Sequence, residues 1–368
     1  MDVSEPPPLL APPRRTAARL IKHAGAAWRA ISGPLLAILG GVVIGSLLML
    51  FTGHNPLEAY AAMVSGALAG PNLTNLASTL TGAAPIVGMG LAAAVAFRAG
   101  FFNLGGEGQL VLGGLAAALV AIYLPLPALL LFPVTIAAAM LVGGLWAVLP
   151  AWAEFQFHVP LLISTLLLNY PARFFASYVA VNLVRDVASG MPETLQVPSA
   201  VQFPLLMTNT QLHAGVFITL AVVLVAAFVI GRTVVGYELR MAGKNATFAR
   251  YGGIRLRKLG YGVMFSSGAI AGLVGAIQVL GVDYRFVDGS LTSPQYAWVG
   301  VMAALLSGSA PLGVLLAGLF FSAIQTGGLG MEQATQVPHE LSLILQAVII
   351  LLVAARGSFR ITGSEKGP

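Results

Sequence analysis

Apolar residues run along the chain in long blocks separated by short stretches rich in Gly, Pro, Asn and Arg. The blocks cover roughly 33–52, 76–97, 101–123, 129–152, 159–181, 214–231, 260–281, 296–307, 311–327 and 340–355. Most approach the 20 or so consecutive apolar residues that a helix needs to cross a bilayer. The pattern predicts an all-α polytopic membrane protein with about ten transmembrane helices. Eight to ten are allowed, because the eighth and ninth blocks are short. They meet at Ser307-Gly-Ser-Ala-Pro311, a strong turn signal, and form either two spans or one hairpin.

Composition supports this pattern. Of 368 residues, 57% are hydrophobic and 9% charged, against about 25% charged in soluble domains. The mean hydropathy is +0.87. A net charge of +6 raises the question of nucleic acid, but the basic residues sit in short loops between apolar blocks, as the positive-inside rule expects. With the N-terminus inside, only Arg173, Arg185 and Arg285 of the 19 Lys and Arg fall outside the inner segments. Both termini are therefore expected to be cytoplasmic. Residues 1–30 read as a disordered, basic, Pro-rich tail, 31–356 as one transmembrane domain and 357–368 as a second cytoplasmic tail. No cleavage site of an ordinary leader stands before the first block. There is no cysteine, hence no disulfide and no zinc-thiolate site.

Soluble-enzyme motifs fail on inspection. Gly243-Lys244 imitates the end of a phosphate loop, yet Asn245 follows it and no glycine stands five residues before. Gly88-Met-Gly-Leu-Ala-Ala93 lies inside an apolar block, where packing explains it better than a dinucleotide. Asn72-Leu-Thr74 is a formal glycosylation sequon without support. No His pair has metal spacing, so neither a catalytic cluster nor a metal site is expected. Gly41 with Gly45, and Gly268 with Gly272, are small-xxx-small pairs that let helices approach.

Three polar features stand out. In Arg98-Ala-Gly-Phe-Phe-Asn-Leu-Gly-Gly-Glu-Gly-Gln-Leu110, the polar residues Asn103, Glu107 and Gln109 are set among Gly105, Gly106 and Gly108. If the segment after Arg98 is helical, Glu107 lies about 13 Å deeper, near mid-membrane. A lipid-facing charge there is costly, so Glu107 faces protein or water. It either braces a break in the helix or lines a polar route. In the fifth block Asn169 and Arg173 share one face. An intramembrane arginine calls for a carboxylate, and Glu107 and Glu154 are the candidates. The third feature is the basic loop 232–259, where Asn245 can cap a short helix, 246–251, that Gly252-Gly253 ends. This loop is either a solvated element drawn to anionic lipid or a docking element for a cytoplasmic partner.

Three stretches together resemble a known family. FRAGFFNLGGEGQL (97–110), ELRMAGKNATFARYGGI (238–254) and VGVMAALLSGSAPLGVLLAGLFFSAIQ (299–325) are similar to membrane permease subunits of ATP-binding-cassette (ABC) importers for branched-chain amino acids, simple sugars and nucleosides. The likeness covers roughly 35–355, and the FNLGGEGQ form looks most like the nucleoside (guanosine-type) branch. The resemblance implies a multi-pass protein of the bacterial plasma membrane that is not itself an enzyme and holds no cofactor, ATP being bound by a partner ATPase. It further implies a second permease in a heterodimer and an extracytoplasmic substrate-binding protein, with lipid around the complex and no nucleic acid. Asn103, Gly105, Gly106, Glu107, Gly108, Gln109, Asn169 and Arg173 then belong beside the translocation pathway. Gly243, Asn245, Arg250, Tyr251 and Gly253 belong to the ATPase-coupling segment, with Gly243 and Gly253 as flanking breaks. A simple-sugar substrate such as ribose or xylose is the alternative within this class. A proton-coupled secondary transporter using Glu107 is the alternative outside it.

Overall fold

The computed structural model describes residues 35–70 and 73–363, with side chains to Leu352. The expected tail 1–30, Asn72 of the sequon and residues 364–368 lie outside the described residues. Regular structure among the described residues is almost entirely helical. The helices are α1 (Leu35–Phe51), α2 (Pro56–Leu68), α3 (Thr74–Arg98), α4 (Gly106–Tyr123), α5 (Ala128–Phe157), α6 (Leu161–Leu167), α7 (Asn169–Tyr178), α8 (Gly215–Arg232), α9 (Val234–Lys244), α10 (Ala246–Tyr251), α11 (Leu256–Gln278), α12 (Tyr296–Leu306), α13 (Pro311–Thr335) and α14 (Glu340–Gly363). Among the described residues β-pairing is limited to three isolated bridges.

Each expected block falls on helix. Among the described residues six helices are long and apolar enough to cross a membrane by themselves: α3, α4, α5, α8, α11 with its π-helical extension to Asp283, and α13. α1, α12 and the described part of α14 are shorter apolar helices. The fifth block is divided into α6 and α7 at Leu168.

Two corrections concern boundaries. Residues 101–105 are not helical, so α4 begins at Gly106. Residues 56–68, between the first two blocks, form a helix not counted among them, α2, capped by the Asn55 side chain, which accepts from Leu57 N–H at 3.1 Å, and started by Pro56 at its first position. α2 lies along α13. A Cβ added at Gly66 would stand 2.8 Å from Gly330 Cα, so the two backbones touch.

α3 and α11 form the centre, each with 83% of its apolar window buried, whereas α5 and α8 bury 28% and 22% and turn Leu, Val and Phe outward. Outward apolar faces of this kind suit lipid. The pair Gly268 and Gly272 packs against α5: a Cβ on Gly268 would strike the Gly143 carbonyl, and one on Gly272 the Ala139 carbonyl. Gly41 and Gly45 likewise admit α14 against α1, through Ile349 and Leu345.

The bundle has two unlike ends. One gathers Arg98, Arg232, Arg240, Lys244 and Arg250 in or beside α9 and α10. At the other, residues 184–214 and 279–295 knit into a cap through Thr194 N–H to Phe286 O at 3.0 Å, Val197 N–H to Tyr284 O at 2.8 Å and the Arg285–Glu193 ion pair. His213 is buried in this cap against Phe203, and burial pushes its imidazole down to about 4. Its Nδ1 accepts from Gly215 N–H at 3.1 Å, as a neutral ring can.

Candidate functional site

After Arg98 the chain turns back beside α3 without helical bonds and restarts as helix only at Gly106. Gly106 rests against Met89, about 13 Å up α3 from the Arg98 end. In a hydrocarbon layer about 30 Å thick with Arg98 at its edge, the start of α4 would lie near the middle. Non-helical backbone at that depth must find its bonds in protein. It does so here through side chains. Asn103 is buried; its Oδ1 accepts from Gly105 N–H at 2.9 Å and from Gln109 Nε2 at 3.1 Å, and its Nδ2 donates to Ser267 Oγ at 2.9 Å. Ser267 in turn donates to Ala92 O at 2.7 Å, which ties the loop to α3 and α11 together.

Asn169 braces the same junction from α7. Its Oδ1 accepts from Gly108 N–H at 2.8 Å and its Nδ2 donates to Leu104 O at 3.0 Å, spanning the helix start. Thr165 Oγ1 accepts from Leu104 N–H at 3.2 Å. Gly108 makes this approach possible, since a Cβ there would lie 2.9 Å from Ala172 Cβ and 3.2 Å from Asn169 Cα. The three glycines thus serve close packing around a helix start.

Glu107, on the first turn of α4, pairs with Arg173 of α7 at 3.2 Å. Glu107 is nearly buried and Arg173 about half exposed, at 14% and 47%. The partially positive N-terminus of α4 favours a carboxylate at this position as well. Of the two candidate partners for Arg173, Glu107 is the one in contact. Glu154 keeps a buried Oε2 without a hydrogen-bond partner among the described residues.

A cavity of about 10 Å³, room for one water, lies between Asn103, Glu107, Ser267 and Trp298. It is far too small for a metabolite. The other side of the ion pair is the outer face of α7. On this helix Asn169, Ala172 and Ala176 face inward, while Tyr170, Arg173, Phe174, Phe175 and Tyr178 are exposed. Phe102 is half exposed beside Phe97, and Phe101 packs edge-on against Phe155 instead.

The basic segment is more ordered than a loop. Thr233 Oγ1 accepts from Gly236 N–H at 3.2 Å and starts α9, which the sequence reading did not anticipate. Asn245 Oδ1 accepts from Phe248 N–H at 2.9 Å and starts α10, as the capping pattern predicts. Gly252 ends it, and Gly253 follows at φ +85°. Gly243 is not a break. It sits in the last turn of α9, where a Cβ would strike the Arg98 carbonyl, so α9 abuts the end of α3 just before the buried junction. Phe248, Arg250 and Tyr251 are exposed at the tip, Tyr251 by 88%.

Ser267 and Thr165 are site residues that sequence reading missed. Their only signal is a hydroxyl inside an apolar block, which is common in membrane helices.

Comparison with known proteins adds the following. Residues 75–354 match the family described as branched-chain amino acid transport system / permease component. The chain is 33% identical to the guanosine ABC transporter permease protein of Bacillus subtilis (strain 168), over 89% of this chain and 94% of that protein. It is 31% identical to a glucose ABC transporter permease protein of Haloferax volcanii, over 91% and 90%. It is 28% identical to a nucleoside ABC transporter permease protein of Lactococcus lactis subsp. cremoris, over 89% and 92%.

Proposed function

Because the chain belongs to the family of branched-chain amino acid transport system permease components, as an ABC transporter permease, we propose that it imports nucleosides. In this reading it is the membrane-spanning subunit, and ATP is hydrolysed by a separate cytoplasmic chain. The observation that carries the nucleoside reading is the exposed aromatic face of α7, Tyr170, Phe174 and Tyr178, running beside the Glu107–Arg173 pair. A nucleobase needs flat apolar surface to stack on, and the ribose hydroxyls need polar groups at its edge. Two of the relatives above are named for guanosine or nucleosides. The glucose relative supports a simple sugar as second reading.

In this reading the chain supplies only one wall of the route, since the cavity at Glu107 has room for no more than a single water. A second, non-identical permease supplies the other wall, and an extracytoplasmic binding protein delivers the ligand. Ten spans are assigned to α1, α3, α4, α5, α6–α7, α8 and α11 to α14, with α2 lying in the membrane without crossing. The basic end and both termini then face the cytoplasm of a bacterial cell. α10 docks on the ATPase through Phe248, Arg250 and Tyr251. The contact of Gly243 with the end of α3 carries its movement to the α4 start, and each ligand biases the open and closed states. ATP in a partner supplies the drive, so Glu107 has no proton-coupling task.

Uptake of radiolabelled guanosine and uridine, in cells with and without the gene, tests this. Loss of uptake that ribose and xylose do not compete for is expected. Nucleoside uptake that persists, in cells without a redundant system, would transfer the assignment to a sugar.

A further inference from the structure

A second cavity, about 1050 Å³, lies between α3, α5, α8, α9 and α11 and shares no lining residue with the one at Glu107. It reaches the upper range of small-molecule pockets, roughly 300–1,000 Å³. Its walls are apolar from Ile218 to Ile230 on α8 and from Leu259 to Ile270 on α11, broken only by Ser266. Each wall runs about 17–18 Å along its helix axis, close to the ~15 Å thickness of one hydrocarbon leaflet. The mouth is different. Arg255 and Lys258 line it at the basic end, both exposed, and neither belongs to an ion pair among the described residues. Glu238 of α9 lines the same mouth, which leaves a net charge of +1, enough for one phosphodiester. Gly262 opens the wall near that end, since a Cβ there meets nothing within 4 Å.

We infer that this groove binds a glycerophospholipid, with its acyl chains along α8 and α11 and its phosphodiester at Arg255 and Lys258. An apolar trough of leaflet depth with cations at its interfacial end is complementary to such a lipid. A nucleoside or sugar would find almost no hydrogen-bond partner there. The lipid would lie against Val235 and Leu239 of α9, and so under the segment assigned above to ATPase coupling. The inference needs the basic end to be the cytoplasmic interface but not the nucleoside assignment, and its test measures binding rather than transport.

The full-length chain in detergent is titrated with phosphatidylglycerol or with diacylglycerol of the same acyl chains, and retention is read by native mass spectrometry. Phosphatidylglycerol should be retained and diacylglycerol lost. R255Q and K258Q should each weaken retention about fivefold, and G262L, which fills the trough without a clash, should compete with the lipid. Equal retention of the two lipids by the wild-type chain would overturn the inference, and that comparison needs no variant to fold. So would a G262L chain that keeps its phospholipid but no longer co-purifies with a second permease, an outcome that would make the groove a subunit interface.

Discussion

The junction before α4 and the segment around α10 are two places where polar residues interrupt the apolar pattern, and they solve opposite problems. The first lies about 13 Å along α3 from Arg98 and satisfies its polar groups internally, through Asn103, Gln109, Ser267, Thr165 and Asn169. The second leaves Phe248, Arg250 and Tyr251 in solvent and spends few internal contacts on them. A buried network of this kind fixes geometry, because each unpaired member is costly. An exposed aromatic tip on a short helix is open to a partner surface. Gly243 joins them, with α9 resting on the end of α3.

Removing one brace should therefore damage the first region most. N169A leaves Gly108 N–H and Leu104 C=O without their partner in a buried setting, at about 1–3 kcal/mol each. Thermal unfolding of the purified chain should show a loss of about 3 kcal/mol. An unmoved transition would mean that Asn169 does not hold the start of α4. Next in size is G108V. Its new atoms meet Ala172 and the Asn169 backbone, and overpacking of this sort costs about 1–3 kcal/mol. A stable G108V chain would show that α7 can move away from α4 cheaply.

The ion pair sharpens the comparison further, because it stands at the edge of the buried network. Arg173 is about half exposed, so solvent screens the pair and its coupling should be about 1 kcal/mol or less. A double-mutant cycle of E107Q and R173Q, read by thermal unfolding, measures it. In transport, E107Q keeps size and hydrogen-bonding capacity. If it transports normally while E107A fails to assemble, the carboxylate is a brace. If E107Q folds normally and transports poorly, the charge itself belongs to the pathway.

How much of this was legible depended on how far apart the partners lie in the chain. Asn103, Glu107 and Gln109 were visible because such side chains rarely stand in an apolar block, and the Asn245 cap because a cap is a rule of three residues. Ser267 was not, since its partner Asn103 lies 164 residues away. α2 fell outside the expected blocks because it is only 13 residues long, and α9 was read as part of a loop because it mixes Arg and Glu with its apolar positions. Gly243 was expected as a break only through the resemblance, while its close contact is with a backbone it meets only through the fold. The facing of the α7 aromatics depended on which of its sides packs on α4, and that is set by Asn169 and Ala172.

The smallest stability effect should come from the other region, and there the comparison is tested most directly. R250A and Y251A remove exposed side chains that touch little of this chain, so each should shift thermal unfolding by no more than about 0.5 kcal/mol. Their effect should instead fall on coupling. In proteoliposomes containing the assembled transporter, ATP hydrolysis should persist while substrate uptake falls, because the interface that carries force has lost its contacts and the membrane core is intact. The pairing of readouts matters. N169A should lower folding stability, and uptake only as far as folded protein is lost, whereas Y251A should separate uptake from both stability and hydrolysis. Uptake that stays at wild-type level in an R250A/Y251A double variant would remove α10 as the docking helix and leave α9, with its contact at Arg98, as the remaining route between the two regions.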